Sequence, residues 1–226
     1  MAQLLDRLSQ NPRLLALALG VLAACGFQPL ALWPLALLAL ALLIELVARA
    51  PTPRRAALIG WLFGLGHFTL GTNWIATAFT YQAAMPAWLG WVAVLGIAAF
   101  LAIYPALAAL AAWLAGRRTY GALVLAMAGA WIVSEWLRSW LFTGFAWNPL
   151  AAIALGGFDH PGLAGLAPWL GTYALSGLVV LLAGVGLVRL LPGEISSSRA
   201  APRLVSSVSR VRSSSPEPEP TPSRLI

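Results

Sequence analysis

Five long apolar stretches follow one another along the first 190 residues, separated by short breaks that carry arginine or turn-forming residues. A run of about 20 apolar residues is long enough to cross the hydrocarbon core of a bilayer as a helix. The whole chain of 226 residues is 60% hydrophobic and 9% charged, whereas an average soluble domain is about 25% charged. Too few polar side chains exist to cover a water-soluble globule. The sequence therefore predicts an all-α polytopic membrane protein.

The first apolar stretch, residues 14–47, is too long for one crossing. As one helix it would measure about 51 Å, against a hydrocarbon core of about 30 Å. Gly26, Pro29 and Pro34 interrupt it near the middle. We therefore predict a hairpin of two short helices, at 14–27 and 32–48.

Four further helices are predicted, which gives about six transmembrane helices in all. Their expected ranges are 57–78, 87–115, 120–141 and 163–188. Arginines mark one side of this arrangement: Arg7, Arg13, Arg49, Arg54, Arg55, Arg117, Arg118 and Arg189. Arg138 alone lies near the other side. By the positive-inside rule both termini are expected in the cytoplasm. Because these arginines mark loop orientation and form no single face, we expect no nucleic-acid partner.

The chain divides by composition into three parts. Residues 1–13 are expected to be a cytoplasmic N-terminus, 14–191 the helix bundle, and 192–226 a disordered tail. The tail is rich in Ser, Pro and Arg, so it cannot bury enough apolar surface to fold. One Cys and two His without ligand spacing predict no metal site, and no cofactor is expected.

Polar residues inside the predicted helices are few. Glu45 and Arg49 are four residues apart and are expected to form an ion pair at the membrane interface. Gly60 and Gly64 form a small-residue pair that allows a neighbouring helix to approach closely. We expect His67 to hydrogen-bond between helices, with a proton carrier or a ligand as the alternative.

The densest polar cluster lies at the end of the fifth predicted helix. Glu135 and Arg138 are three residues apart and are expected to meet on one helix face. One interpretation is an ion pair beneath an interfacial belt of tryptophans. The other is a site for an amphipathic phospholipid. Its lipid-facing rim would be Glu135, Arg138, Trp147 and Asn148, with Trp74 and His67 behind them.

The same segment carries a family resemblance. Ser134–Arg138 followed by Thr143–Pro149 resembles the S/T-E-W-x-R…T-G-F-x-W motif of bacterial apolipoprotein N-acyltransferase. Three other regions are similar to that family at comparable spacing. They are the first hairpin with Gly26–Pro29 and Trp33–Ala36, the segment Gly60–Trp74, and the segment Gly171–Ser176. The resemblance covers roughly residues 14–190.

The resemblance implies an enzyme of the bacterial plasma (inner) membrane. Members of the family move an acyl chain from a membrane phospholipid to a diacylated apolipoprotein, through a thioester on a Cys. The resemblance also implies that this Cys, a Glu and a Lys belong to a nitrilase-like domain. This chain has no Lys, and its one Cys, Cys25, lies in the first apolar stretch.

We therefore expect no catalytic residue in this chain. It is interpreted as the membrane-embedded part of an apolipoprotein N-acyltransferase, truncated and inactive alone. The first alternative is the membrane subunit of a split enzyme with a separately encoded nitrilase-like chain. A small lipid or solute transporter is the remaining alternative, although few polar residues could line its path.

Overall fold

The computed structural model describes residues 11–82, 84–116, 118–156 and 160–190. Eight α-helices lie in these ranges: α1 Pro12–Ala24, α2 Trp33–Arg49, α3 Pro53–Gly71, α4 Trp74–Thr80, α5 Trp88–Leu101, α6 Ile103–Ala115, α7 Tyr120–Trp140 and α8 Ala167–Leu190. Three short 3-10 helices accompany them: Leu141–Thr143, Leu150–Ala154 and Leu163–Leu166. Within the same ranges, β structure is limited to one isolated bridge. The all-α class is confirmed.

The predicted hairpin and the fifth predicted helix are confirmed as α1, α2 and α7. Two predicted helices are broken. The third, expected at 57–78, is divided into α3 and α4 at Thr72 and Asn73. The fourth, expected at 87–115, is divided into α5 and α6 at Ala102. Pro105 explains the second break, because proline has no N–H to donate to the carbonyl four residues earlier.

The last helix also begins later than predicted. Residues 163–166 form a 3-10 turn, and α8 starts at Ala167. Gly171 interrupts α8 with a φ of 72°, in the left-handed region that favours glycine. A run of apolar residues does not by itself distinguish a regular helix from this interrupted one.

Helix α3 is the centre of the bundle, in contact with α1, α2, α5 and α6. Its glycines allow this crowding. A Cβ on Gly60 would lie 2.5 Å from the Pro105 carbonyl oxygen, and one on Gly64 would lie 2.8 Å from Ala102 Cα. The close approach predicted for this glycine pair is confirmed, and α6 is the partner.

Threonine side chains fix the start of the two helices that carry the polar residues. Thr52 Oγ1 accepts the Arg55 N–H at 3.3 Å, at the beginning of α3. Thr119 Oγ1 accepts the Ala122 N–H at 3.1 Å, at the beginning of α7. Each bond satisfies an N–H that has no partner within its own helix.

Three helical stretches in the described ranges are long and apolar enough to cross a membrane: Trp88–Ala115, Tyr120–Trp140 and Leu163–Gly186. Leu125, Val92 and Leu107 project from the outside of the bundle, each about half exposed or more. Such an apolar outer face suits contact with lipid tails. The chain is an all-α membrane protein, while the six crossings and the cytoplasmic termini stay predictions.

Several predictions concern residues outside the described ranges. These include Arg7, Arg117 and nearly all of the proposed N-terminal segment 1–13. The proposed disordered tail, 192–226, lies outside them as well. The domain boundaries therefore stay predictions.

Candidate functional site

The chain turns back on itself after α7 in an irregular loop, residues 141–149. Gly144 and Asn148 have φ angles of 76° and 55°. Glycine adopts this left-handed region without steric cost, and asparagine is among the residues that tolerate it best. The turn brings the loop carbonyls over the last two turns of α7.

Arg138 holds this loop to the end of α7. Its guanidinium is buried and donates to the carbonyls of Phe145 at 3.2 Å, Trp147 at 2.5 Å and Asn148 at 3.5 Å. It also lies 5.2 Å from the centre of the Phe68 ring, on α3. A guanidinium offers five N–H donors in a fixed plane, so one side chain can serve several carbonyls.

Glu135 binds the segment that follows the loop. Its Oε1 accepts the Trp131 indole N–H at 3.0 Å and the Leu150 backbone N–H at 2.8 Å. Its Oε2 is buried without a hydrogen-bond partner. In the part of the chain that the structure describes, Glu135 forms no ion pair with Arg138. The ion pair of the first interpretation is therefore not formed, because Arg138 donates to loop carbonyls and Glu135 accepts from Trp131 and Leu150.

Two further side chains connect this region to neighbouring helices. Asn148 Nδ2 donates to the Gly71 carbonyl at 2.8 Å, at the end of α3. Ser176 Oγ on α8 accepts the Ala151 N–H at 2.9 Å and donates to the Thr172 carbonyl at 3.3 Å. Sequence reasoning did not place Ser176 in the site, although its hydroxyl in an apolar helix was a usable signal.

His67 lies inside a cage of aromatic rings. Its ring centre is 5.4 Å from that of Phe27, 6.0 Å from that of Phe63 and 5.0 Å from that of Phe68. Its Nδ1 is buried without a hydrogen-bond partner. The interhelical hydrogen bond expected of His67 is wrong for the described residues, since packing against three phenylalanines holds the ring instead.

A small cavity brings most of the predicted site residues together. Its volume is about 10 Å³. It is lined by His67, Phe68, Tyr104, Pro105, Trp131, Ser134, Glu135, Arg138, Asn148 and Leu150. A volume of 10–15 Å³ corresponds to about one water molecule. The cavity is far too small for a lipid headgroup. The polar side chains that line it therefore serve to hold the loop and the neighbouring helices together.

Trp74 and Trp147 lie outside this cavity and form an exposed pair, hereafter the tryptophan rim. Their rings are 5.9 Å apart, and 51% and 63% of the two residues is exposed. The predicted arrangement differs from the structure at three residues, while Trp147 is exposed and His67 is buried. Glu135 and Arg138 were expected on the rim and are buried, while Trp74 was expected behind them and is exposed. The physical reason is that buried partners are available to both charged groups: the loop carbonyls for Arg138, and the N–H groups of Trp131 and Leu150 for Glu135.

An apolar groove opens beside the 3-10 helix Leu150–Ala154. The first two N–H groups of this helix donate to Glu135 and Ser176. Its volume is about 320 Å³, within the usual range of small-molecule pockets. Trp33 and Leu37 of α2 form one wall, and Val179 and Leu182 of α8 form another. Walls of this kind suit an apolar chain.

No three His, Cys, Asp or Glu side chains come together within the described ranges to hold a metal ion. The polar chemistry at this end of the bundle is hydrogen bonding by Glu135, Arg138, Asn148 and Ser176. Exposed aromatic and apolar surface supplies the rest.

The family model for the N-terminal domain of apolipoprotein N-acyltransferase matches residues 19–185. Among curated proteins, the apolipoprotein N-acyltransferase of Ralstonia nicotianae is 41% identical over 179 residues. That of Chromobacterium violaceum is 40% identical over 174 residues, and that of Nitrosomonas europaea is 38% identical over 173 residues.

These matches cover most of this chain and a minor part of each relative. The three alignments include 76%, 75% and 74% of this chain. They include 32%, 32% and 33% of the relatives. The chain therefore spans about a third of the length of the curated proteins that it matches.

Proposed function

The chain belongs to the apolipoprotein N-acyltransferase family, and from that premise we propose that it holds the lipid substrates of an N-acyl transfer. The acyl donor is a membrane phospholipid and the acceptor is a diacylated apolipoprotein. The reaction serves lipoprotein maturation in the bacterial plasma membrane. The observation that carries this proposal is the tryptophan rim, which a buried polar cluster supports at one end of an apolar bundle.

The tryptophan rim has the chemistry to hold an amphipathic molecule. Tryptophan is large and rigid, and its ring joins an apolar body to a polar N–H, which suits a boundary between tails and headgroups. Arg138 fixes the backbone of Trp147, and Asn148 ties the same loop to the end of α3 beside Trp74. The bundle thus positions both rings before any lipid arrives.

The apolar groove beside Leu150–Ala154 gives an acyl chain a place to lie. Glu135 and Ser176 bind the N–H groups of Leu150 and Ala151, at the beginning of this 3-10 helix. Neighbouring buried groups therefore support the two surfaces: Arg138 and Asn148 support the tryptophan rim, and Glu135 and Ser176 support one wall of the groove. We assign the rim to the lipid headgroup region and the groove to an acyl tail.

The acyl-transfer chemistry requires groups that these 226 residues do not contain. There is no Lys, and the Cys25 thiol follows α1 and lies 3.4 Å from the Val21 carbonyl oxygen. A catalytic Cys, Glu and Lys would come from a nitrilase-like domain. A separately encoded chain is one possible source. Bound lipid without transfer is the behaviour expected of the 226-residue protein.

Acyl transfer can be tested by incubating the purified protein with phospholipid and a diacylated lipopeptide and measuring the N-acylated product. We expect no N-acylated product from the 226-residue chain, and product when a nitrilase-like catalytic chain of the family is added. Acyl transfer by the chain alone would contradict the proposal.

A pair of matched double variants tests lipid binding itself. Trp74→Ala with Trp147→Ala removes the rim, and Trp136→Ala with Trp140→Ala removes a similar pair on α7. The control rings are 5.3 Å apart, and 50% and 53% of the two residues is exposed. We expect the rim variant to weaken lipopeptide binding about 500-fold or more, given that aromatic anchors contribute about 2 kcal/mol or more each and that about 1.4 kcal/mol is a factor of ten. Equal weakening by both variants would refute a specific rim.

A further inference from the structure

A further hollow lies at the beginning of α3, at the end of the bundle away from the tryptophan rim. Its volume is about 370 Å³. Three helices each contribute an arginine to its wall: Arg13 from α1, Arg49 from α2 and Arg55 from α3. Leu58 and Ile59 form part of its apolar lining. The hollow thus combines a cationic edge with an apolar interior.

The positions of two of these arginines are electrostatically unfavourable on their own. Arg13 and Arg55 lie in the first turns of α1 and α3, and neither turn contains an acidic residue. The N-terminus of a helix carries a partial positive charge, which repels cations and attracts anions. An anion between the two helix ends would offset both effects.

The nearby carboxylate of Glu45 already has a cationic partner. Its Oε1 accepts from Arg49 Nε at 2.6 Å, and Glu45 is almost fully buried. Arg13 and Arg55 are exposed. The hollow therefore keeps an excess of positive charge after this ion pair is counted.

We propose that this hollow binds the phosphate group of an anionic phospholipid, in a site separate from the tryptophan rim. Arg13 and Arg55 contact the phosphate, and the apolar lining contacts the first methylenes of the acyl chains. Basic pockets between transmembrane helices bind acidic headgroups in this way, and guanidinium groups bond phosphate oxygens in pairs. The apolar lining favours a lipid over free inorganic phosphate.

The chain offers a matched control for this site. The double variant Arg13→Gln with Arg55→Gln removes two charges from the hollow. Arg54→Gln removes a neighbouring exposed charge in the same first turn of α3, outside the lining. Arg49 is left unchanged, because its loss would strand the buried carboxylate of Glu45. Thermal unfolding of each purified variant reports whether the fold is retained.

Native mass spectrometry of the full 226-residue protein in detergent measures the binding. The probes are phosphatidylglycerol, phosphatidylcholine with the same acyl chains, and inorganic phosphate. We expect selective binding of phosphatidylglycerol. A hydrogen bond between a guanidinium and a phosphate oxygen is worth about tenfold or more in affinity, whereas an arginine that only adds to the surface potential is worth about fivefold. The double variant should therefore weaken binding about 100-fold or more, while Arg54→Gln weakens it about fivefold or less.

Three results would overturn the proposal. One is equal weakening per charge removed by Arg54→Gln and by the double variant, which would indicate a diffuse surface potential. Another is binding of phosphatidylcholine that falls in the double variant as much as binding of phosphatidylglycerol does, since phosphatidylcholine held at the tryptophan rim should not depend on Arg13 and Arg55. The third is inorganic phosphate that displaces the lipid at equal concentration, which would indicate an anion site without lipid selectivity.

Discussion

Glu45 with Arg49 and Glu135 with Arg138 are two glutamate–arginine pairs at helical spacing, at opposite ends of the bundle. The first pair forms a direct ion pair of 2.6 Å, and the Arg49 side chain is 32% exposed. In the second, both residues are buried and bond other groups. Helical spacing makes contact feasible in both cases.

The surrounding backbone accounts for the difference. Helix α2 is followed by a short connection to α3, whereas α7 is followed by the irregular loop 141–149. The carbonyls of that loop have no helical partner, and a buried unsatisfied carbonyl costs about as much as a lost hydrogen bond. Arg138 satisfies them. Whether a glutamate and an arginine at the end of a helix form an ion pair therefore depends on the chain that follows, as well as on the spacing of the two residues.

Arg138→Gln should give the largest effect. Removal of the guanidinium leaves the loop carbonyls of Phe145 and Trp147 without their donor. Each buried acceptor left without its donor costs about 1–3 kcal/mol, so the loss of two donors costs about 2–6 kcal/mol. We expect that decrease in the free energy of unfolding, measured by denaturation in detergent. Arg138→Lys keeps the charge but not the planar fork, and should recover only part of the loss. A decrease below about 1 kcal/mol would contradict the role assigned to Arg138.

Asn148→Ala should give the next largest effect. It removes the bond to the Gly71 carbonyl, worth about 0.5–1.5 kcal/mol. It also places alanine at a φ of 55°, at a cost of about 1–2 kcal/mol. The sum is about 1.5–3.5 kcal/mol. Asn148→Gly loses the same bond without the backbone cost, so it should be the milder variant in the same unfolding assay. The opposite order would show that backbone strain is unimportant here.

Glu135→Gln should cost about 1 kcal/mol, since the amide oxygen can still accept from Trp131 and Leu150. Hydrogen exchange at the Leu150 amide gives a second readout. We expect exchange to stay slow in Glu135→Gln and to become faster in Glu135→Ala, which has no acceptor. Fast exchange in both would indicate that the negative charge, rather than the acceptor, holds this segment.

Glu45→Gln should give the smallest effect, about 0.3–0.5 kcal/mol, as measured for other helix pairs four residues apart. A direct pair with a partly exposed arginine is also screened by salt. The difference in unfolding free energy between wild type and Glu45→Gln should therefore shrink between 0.1 and 1 M NaCl. If Glu45→Gln lowered the free energy of unfolding as much as Arg138→Gln does, the two glutamate–arginine pairs would not differ in the way described.

The positions of most helices could be predicted from the apolar runs, because transmembrane length and turn residues limit the choices. The predicted ends of α2 and α7 lie within a residue of those observed. The break in front of Pro105 was also predictable from the missing N–H. The break at Thr72 and Asn73 had no comparably specific signal, since both residues occur in helices.

The candidate site was less predictable than the fold. The cluster of Glu135, Arg138, Trp147 and Asn148 could be selected because polar residues are costly in a bilayer. Which of them are buried depends on the path of loop 141–149, in which Phe142, Gly144 and Asn148 all have positive φ angles. The contact of Trp74 with Trp147 joins residues 73 positions apart and follows from tertiary packing.

The central claim is that buried Glu135 and Arg138 support an exposed tryptophan rim that contacts lipid. Photo-crosslinking with a phospholipid that carries a reactive group near its headgroup, followed by peptide mass spectrometry, tests this claim most directly. We predict adducts on Trp74 and Trp147, and none on Glu135 or Arg138. Adducts concentrated on Glu135 or Arg138, with the two tryptophans unlabelled, would contradict the account.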